Sequence, residues 1–238
     1  MYKEKIKITS IDVDCNFELK LSSLFKIMQE VASNHCETLG ASHYDLLKYN
    51  LLWVVIRMEV KIYKSIKLDD VVTVTTHAGE QRSFIFPRYF QIYSKSGELL
   101  VNVSSIWAVI NKDTRRVDIR PQGIKIAKAE HDKNDMPLPE KVSGSGSVVV
   151  DERVVKYSNV DINSHLNNTE YIAFILDTHD LEFYKHHRLC GININYDKEI
   201  KFGDKVALLS NKGETREVVS GVVNGVNHFT AELEFDKR

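Results

Sequence analysis

The chain has 238 residues, 43% hydrophobic and 27% charged, with 32 Lys plus Arg against 33 Asp plus Glu and a formal net charge of -1. Those values fit an ordinary globular protein of one large or two small domains; the balanced charge argues against nucleic-acid binding driven by bulk charge, and no apolar run is long enough to span a bilayer. Cys15, Cys36 and Cys190 are odd in number, widely spaced and without a C-x-x-C pair, which predicts reduced thiols, no disulfide frame and no zinc site.

The start, MYKEKIKITSIDVD, alternates charged and apolar residues. It has neither an apolar signal core nor Arg/Ser-rich transit character, so no targeting segment is expected and the setting is read as cytoplasmic. Lys5 to Val13 reads as a strand. In LSSLFKIMQEVASNHCETLG, Leu24, Ile27, Met28, Val31 and Ala32 share one helical face and Gly40 is a plausible stop. β-rich runs follow at Leu52 to Tyr63, Val71 to His77, Phe84 to Ser94 and Leu99 to Asn111. Lys128 to Ser147 is polar, with two prolines and a Gly/Ser tail, and reads as a linker crossing the surface. Then come a strand at Val148 to Tyr157, a helix from about Asn168, and strands at Gly191 to Lys201, Lys205 to Asn211, Glu217 to Asn224 and His228 to Phe235. Each half is thus a strand, a long helix and about four antiparallel strands, an α+β arrangement.

The halves are related in sequence. KSIKLDDVV (Lys64 to Val72) matches KEIKFGDKV (Lys198 to Val206) at five of nine positions, offset by 134. DCNFEL (Asp14 to Leu19) matches DINSHL (Asp161 to Leu166) at three of six, offset by 147. Both matches occur in the same order, and the chain reads as two fused copies of one unit, divided as 1–127, a linker 128–147, and 148–238.

Chemistry is expected where the copies differ. His165 stands against Glu18, and Glu199 against Ser65, so a full Asp161, Asn163, His165 and Glu199 set exists only in the second half. Asn167 with Glu170 resembles a capping box, and Tyr171, Ile172, Phe174 and Ile175 form an apolar stripe. That puts Asp161, Asn163 and His165 in a loop entering a helix, where free N–H groups and the positive dipole end suit a developing oxyanion. In CGININYDKEI, strand parity sets Ile192, Ile194 and Tyr196 on one face and Asn193, Asn195, Asp197 and Glu199 on the other. If that second face borders the helix start, Glu199 and His165 meet. Taken alone, VDINSHLNN favours capping over catalysis, and Glu199 a solvated carboxylate. His186 and His187 read as an exposed loop, Cys190 as a small buried residue, and Trp53 and Trp107 as core or pocket wall.

WVVIRMEV (Trp53 to Val60), SIWAVINKDTRR (Ser105 to Arg116), DINSHLNNTEY (Asp161 to Tyr171) and NYDKEI (Asn195 to Ile200), in this order and spacing, make the chain resemble the acyl-acyl-carrier-protein thioesterases. HLNN by itself is not specific. The resemblance covers nearly all of the chain. It implies a double hotdog, two units each with a long helix wrapped by a curved antiparallel sheet, and one active site, in the second unit. It also implies catalytic roles for Asp161, Asn163, His165 and Glu199, with no cofactor and no metal. Plant members often carry Cys directly after that Glu and a plastid transit peptide; Ile200 stands here and no such peptide is seen, so the chain looks more like a bacterial member.

The reaction this implies is hydrolysis of a fatty acyl thioester carried on acyl carrier protein. Glu199 would be the general base in a network with His165, Asn163 would hold the water or carbonyl, Asp161 would orient the network, and N–H groups near Asn167 would receive the oxyanion. Glu199 as a direct nucleophile is a variant. The first half would supply the acyl pocket, with Leu24, Ile27, Met28, Val31 and the strand Leu51 to Val60 as candidate walls. Arg115, Arg116 and Arg120 form a candidate basic patch for the acidic carrier, set against a solvated face. The expected partners are the carrier protein and the acyl chain, without nucleic acid or membrane insertion; a homodimer is left open. The competing readings are an acyl-coenzyme A thioesterase and a non-catalytic acyl-binding regulator on the same fold.

Overall fold

A computed structural model describes residues 1–119, 121 and 128–238. The elements are β1 (Tyr2–Lys7), α1 (Leu21–Thr38), α2 (His43–Leu47), β2 (Leu51–Ile62), β3 (Val71–Ala78), β4 (Phe86–Tyr93), β5 (Leu99–Asn111), β6 (Val148–Val154), α3 (Asn168–Leu176), α4 (Leu181–His186), β7 (His187–Tyr196), β8 (Lys205–Lys212), β9 (Arg216–Val223) and β10 (Val226–Lys237). The strands form one ten-stranded sheet in the order β1-β3-β4-β5-β2-β7-β10-β9-β8-β6. Read outward from its centre, each side has the same connectivity: β2-β5-β4-β3-β1 and β7-β10-β9-β8-β6. The two sides join where β2 and β7 pair antiparallel, from Arg57 opposite Asn195 to Lys61 opposite Gly191.

One continuous core runs under both helices and both sides of the sheet, including Leu24, Met28 and Val31 from α1, Ile172 and Ile175 from α3, and Val60 and Ile194 from the central strands. Burying side chains of this size stabilises by about 1.5–3 kcal/mol each. The α1 face expected from its periodicity is buried apart from Ile27, which packs on the rim of the core. Packing between β9 and β10 demands a residue without a side chain: a Cβ on Gly221 would fall 1.8 Å from the ring of fully buried Phe229.

The repeat is reproduced in backbone detail. Ile8 N–H bonds Asp70 O and Val155 N–H bonds Asp204 O; Leu19 N–H bonds Ile66 O and Leu166 N–H bonds Ile200 O, both at 2.8 Å. Glu18 bridges Lys67 and His165 bridges Lys201, so one contact carries both sequence offsets. The extra residues of the first half lie partly in α1, which has 18 residues against 9 for α3.

Boundaries moved where local hydrogen bonds end a strand. The strand expected from Lys5 to Val13 is β1, Tyr2–Lys7, because the Asp12 carboxylate accepts from the Thr9 N–H and hydroxyl and closes a turn. The strand expected to reach Tyr157 stops at Val154, and that expected to reach Lys201 stops at Tyr196. The short helices α2 and α4 were not expected; α2 carries a capping box between Ser42 and Asp45. His186 ends α4 and His187 begins β7, in place of an exposed loop.

The segment 128–147 lies across the sheet face opposite the helices. Asn102 Nδ2 donates to Asn134 O at 2.6 Å, Asn193 Nδ2 to Glu140 O at 3.0 Å, and Asn195 binds Val142 through both its amide atoms. Gly146 N–H donates to Ser220 Oγ at 3.0 Å, and a Cβ there would sit 1.8 Å from Leu209 O. The crossing chain binds side-chain amides that face solvent in an ordinary antiparallel sheet; Asn195 is bonded through both amide atoms, whereas the Oδ1 atoms of Asn102 and Asn193 have no partner among the described residues.

Candidate active site

The second polar loop is built around Asp161. Its Oδ1 accepts the N–H groups of Asn163 at 2.8 Å and His165 at 3.2 Å, while Oδ2 lies 3.4 Å from Asn163 Nδ2. The Asp161 N–H returns to His165 O at 2.8 Å. Ser164 takes the left-handed conformation, φ 61, to close this turn. The loop then enters α3 through Asn167, whose side chain caps Thr169 N–H at 3.0 Å. The expected reciprocal box is absent: the Glu170 carboxylate accepts from Asn159 Nδ2 at 2.9 Å and lies 3.9 Å from Lys26 Nζ. The α3 stripe of Tyr171, Ile172, Phe174 and Ile175 is buried as expected.

Glu199 meets His165, with Oε2 3.4 Å from Nε2. Strand parity is not the cause. After Tyr196 the chain turns, because the N–H groups of Asp197 and Lys198 both bond His228 O at 2.9 Å. The His228 ring then holds the Glu199 carbonyl, Nδ1 to O, at 2.9 Å. The pairing of His165 with Lys201 completes the approach. Below the turn, Tyr171 packs edge-on against Tyr196 and Phe229, each with centroids 5.2 Å apart, and its phenol is pushed well up by burial.

Arg115 was expected only as part of a basic patch. Its guanidinium Nη2 instead pairs with Glu199 Oε1, reaching from the turn after β5 into the second half. Arg115 holds φ 57, and its buried Nε has no partner among the described residues. Burial pulls the His165 pKa below its ordinary value and the Arg115 charge pulls it further, against the opposing Asp161 carboxylate. His165 is therefore neutral near pH 7. Arg116 is exposed, and Arg120 lies outside the described residues.

Neither Cys36 nor Cys190 is an activated thiol: burial pushes both pKa values up. Cys190 donates to Glu234 O at 3.2 Å and is only partly buried, and Cys15 is exposed. Among the described residues, no group of three or more His, Cys, Asp or Glu side chains could hold a metal ion. Trp53 Nε1 donates to Ala41 O at 3.1 Å and its ring packs edge-on to Phe86; Trp107 Nε1 donates to Ser105 Oγ at 2.9 Å. Of the expected acyl walls, Met28, Val31 and Val55 are buried in the core. No helix among the described residues is long and apolar enough to cross a membrane.

The acyl-ACP thioesterase N-terminal domain family matches residues 1–124, and the corresponding C-terminal domain family matches residues 146–236. The chain belongs to the acyl-ACP thioesterase family. A chloroplastic acyl-[acyl-carrier-protein] hydrolase of Cuphea viscosissima is 26% identical over 84% of this chain, which spans 52% of that protein's length. Oleoyl-acyl carrier protein thioesterase 2 of Arabidopsis thaliana, also chloroplastic, is 27% identical over 96% of the chain and 67% of its own length. Among solved structures, an acyl-ACP thioesterase from Bacteroides thetaiotaomicron aligns with a TM-score of 0.86 at 24% identity, over 98% of this chain and 97% of that one. The 12:0-ACP thioesterase of Umbellularia californica gives 0.85 at 21% identity, over 100% and 97%. These structures agree with the double hotdog, two helix-on-sheet units fused in one chain.

Proposed function

We propose that the chain hydrolyses the thioester of a fatty acyl chain carried on acyl carrier protein, releasing the fatty acid and the free carrier thiol. The observation that carries this reading is the contact of Glu199 with His165 at the start of α3, in the half that matches the family's C-terminal domain. The proposed division is a first half, 1–127, that holds the acyl chain, a connector, 128–147, and a second half, 148–238, that does the chemistry.

In the proposed mechanism Arg115 fixes Glu199 Oε1 and leaves Oε2 toward His165. Glu199 takes a proton from a water held between the two groups, and the resulting hydroxide attacks the thioester carbonyl. Asp161 fixes the loop so that Asn163 and His165 present their side chains from a rigid turn. The Asn167 N–H is taken by Asn159 O and the Thr169 N–H by the Asn167 side chain. The Asn168 N–H between them is the donor left for the oxygen that becomes negative, at the positive end of α3. Collapse of the tetrahedral intermediate breaks the C–S bond and expels the thiolate, which takes the proton from Glu199 to give the free thiol and restore the carboxylate.

The test is hydrolysis of a chain-length series presented on carrier protein and on coenzyme A in parallel. Higher kcat/KM on the carrier protein supports the reading. Preference for coenzyme A would reassign the carrier, and binding without turnover on either would make the protein an acyl-binding module.

A further inference from the structure

A cavity of about 750 Å³ opens beside the first polar loop, at the other end of α3 from Glu199 and His165. Nine helical residues separate the two ends, roughly 13 Å. Leu19, Leu24, Ile62, Val101 and Leu176 line its interior. Its volume lies in the usual range for a small-molecule site.

The charged groups around it are not equivalent. Asp14 accepts two backbone N–H groups, from Asn16 at 2.8 Å and Glu18 at 3.1 Å. Glu18 is paired with Arg238 at 2.5 Å, Asp177 with Arg153 at 3.5 Å, and Asp180 accepts from Phe183 N–H at 2.8 Å. Arg188 is held by Asp236 at 2.8 Å. The imidazole of His179, in the wall, is committed to buried Glu217 at 2.9 Å. Lys20 has no side-chain partner among the described residues.

Lys20 also occupies an unfavourable place. It is the N-cap of α1, provides no capping hydrogen bond, and no acidic residue follows in the first turn. A cation at the positive end of a helix opposes the helix dipole. At the equivalent position of α3 stands Asn167, which caps. An anion beside Lys20 removes this misfit, because both the ammonium and the first-turn N–H groups then face a negative charge.

We propose that this cavity is a second, non-catalytic site that binds a long-chain carboxylate, with the chain along the apolar wall and the carboxylate between the Lys20 ammonium and the first turn of α1. The occupant is a single-chain anionic amphiphile because, among the described residues, Lys20 is the one lining Lys or Arg without a side-chain partner, at the mouth of an apolar interior. Binding there is read without turnover, so this inference stands or falls separately from the hydrolase reading.

The experiment is equilibrium dialysis of labelled dodecanoate, and of dodecanol as the uncharged control, against the intact chain and three variants. Ala173→Phe fills the cavity from α3, Lys20→Asn copies the α3 cap, and His165→Ala removes the imidazole of the other site without touching this cavity. Ala173→Phe and Lys20→Asn are each expected to weaken dodecanoate binding by about tenfold or more, the loss of one charge-assisted contact or of the chain's space. Lys20→Asn should do so while holding or raising the melting temperature, which a merely structural role would not give. His165→Ala should bind as the parent does, and dodecanol should bind more weakly than dodecanoate. Unchanged binding in both folded cavity variants overturns the proposal, as does binding lost only in His165→Ala. Equal binding of dodecanol overturns the anionic head group.

Discussion

The two polar loops share a backbone and differ in what they carry. Asp14 and Asp161 each accept N–H groups from the residues two and four positions on, and Phe17 and Ser164 both adopt left-handed φ, 60 and 61. Each loop is met by an arginine from the other half: Arg238 binds Glu18 in the first, and Arg115 binds Glu199 in the second. In the first loop the arginine neutralises the loop's own carboxylate. In the second it grips a carboxylate that also faces an imidazole. Asp14 and Asp161 therefore both hold their turns through backbone N–H groups. In the proposed mechanism the second loop differs by His165, Glu199 and Arg115, which the shared scaffold brings together.

The strongest way to break this comparison is to make the second loop resemble the first. Glu199→Ala and His165→Ala should each lower turnover by at least about 10²-fold with the fold intact, and the double variant should lose little more than the worse single one. Near-parental activity in Glu199→Ala would remove the assigned base. Arg115→Ala comes next: turnover should drop by about tenfold through loss of Glu199 positioning. Because Arg115 depresses the His165 pKa, its removal should raise that pKa, and the acid limb of the pH–rate profile should shift upward. A profile that stayed in place would assign Arg115 a packing role only.

Asp14→Ala and Asp161→Ala sharpen the comparison further. Each strips the acceptor from two backbone N–H groups, so chemical denaturation should show similar losses of about 1–3 kcal/mol. Only Asp161→Ala should also impair turnover; an equal activity loss in Asp14→Ala would mean that the first loop takes part in the chemistry. The longer helix of the first half adds a pH effect. Burial and the Arg88 charge lower the pKa of His35 from 6.5 to about 4. The unfolded chain therefore binds this proton first, and stability present above pH 6.5 should be lost as pH falls toward about 4, by no more than about 1.4 kcal/mol per pH unit. His35→Leu should flatten that slope in denaturation curves taken across the window. The smallest expected effect is none: with Cys15, Cys36 and Cys190 replaced by Ser or Ala, a folded chain should keep its turnover. Inactivity in such a chain would restore a covalent route.

What could be read from the sequence follows from how far each feature reaches along the chain. The repeat was legible because its landmarks are local turn devices, in which Asp14, Asp161, Asp70 and Asp204 bond backbone groups a few residues away. The buried faces of α1 and α3 followed from periodicity. The meeting of His165 with Glu199 was expected for an incorrect reason, since β7 ends before Glu199 and a distant residue, His228, makes the turn. Arg115 lay within a segment carrying the family resemblance and within a cluster of arginines, but neither signal named Glu199 as its partner, which lies in the other half of the sequence. The cap at Lys20 was invisible as a misfit until α1 could be set beside α3.

The pairing of β2 with β7 has a further consequence. In an assembly of two separate chains the same central strands would associate and part with dilution, and each copy could serve in either role. Here the join is intramolecular, so its strength does not depend on protein concentration. Dissociation and exchange of partners are closed off, and the Glu18 loop and the His165 loop always stand in one-to-one proportion.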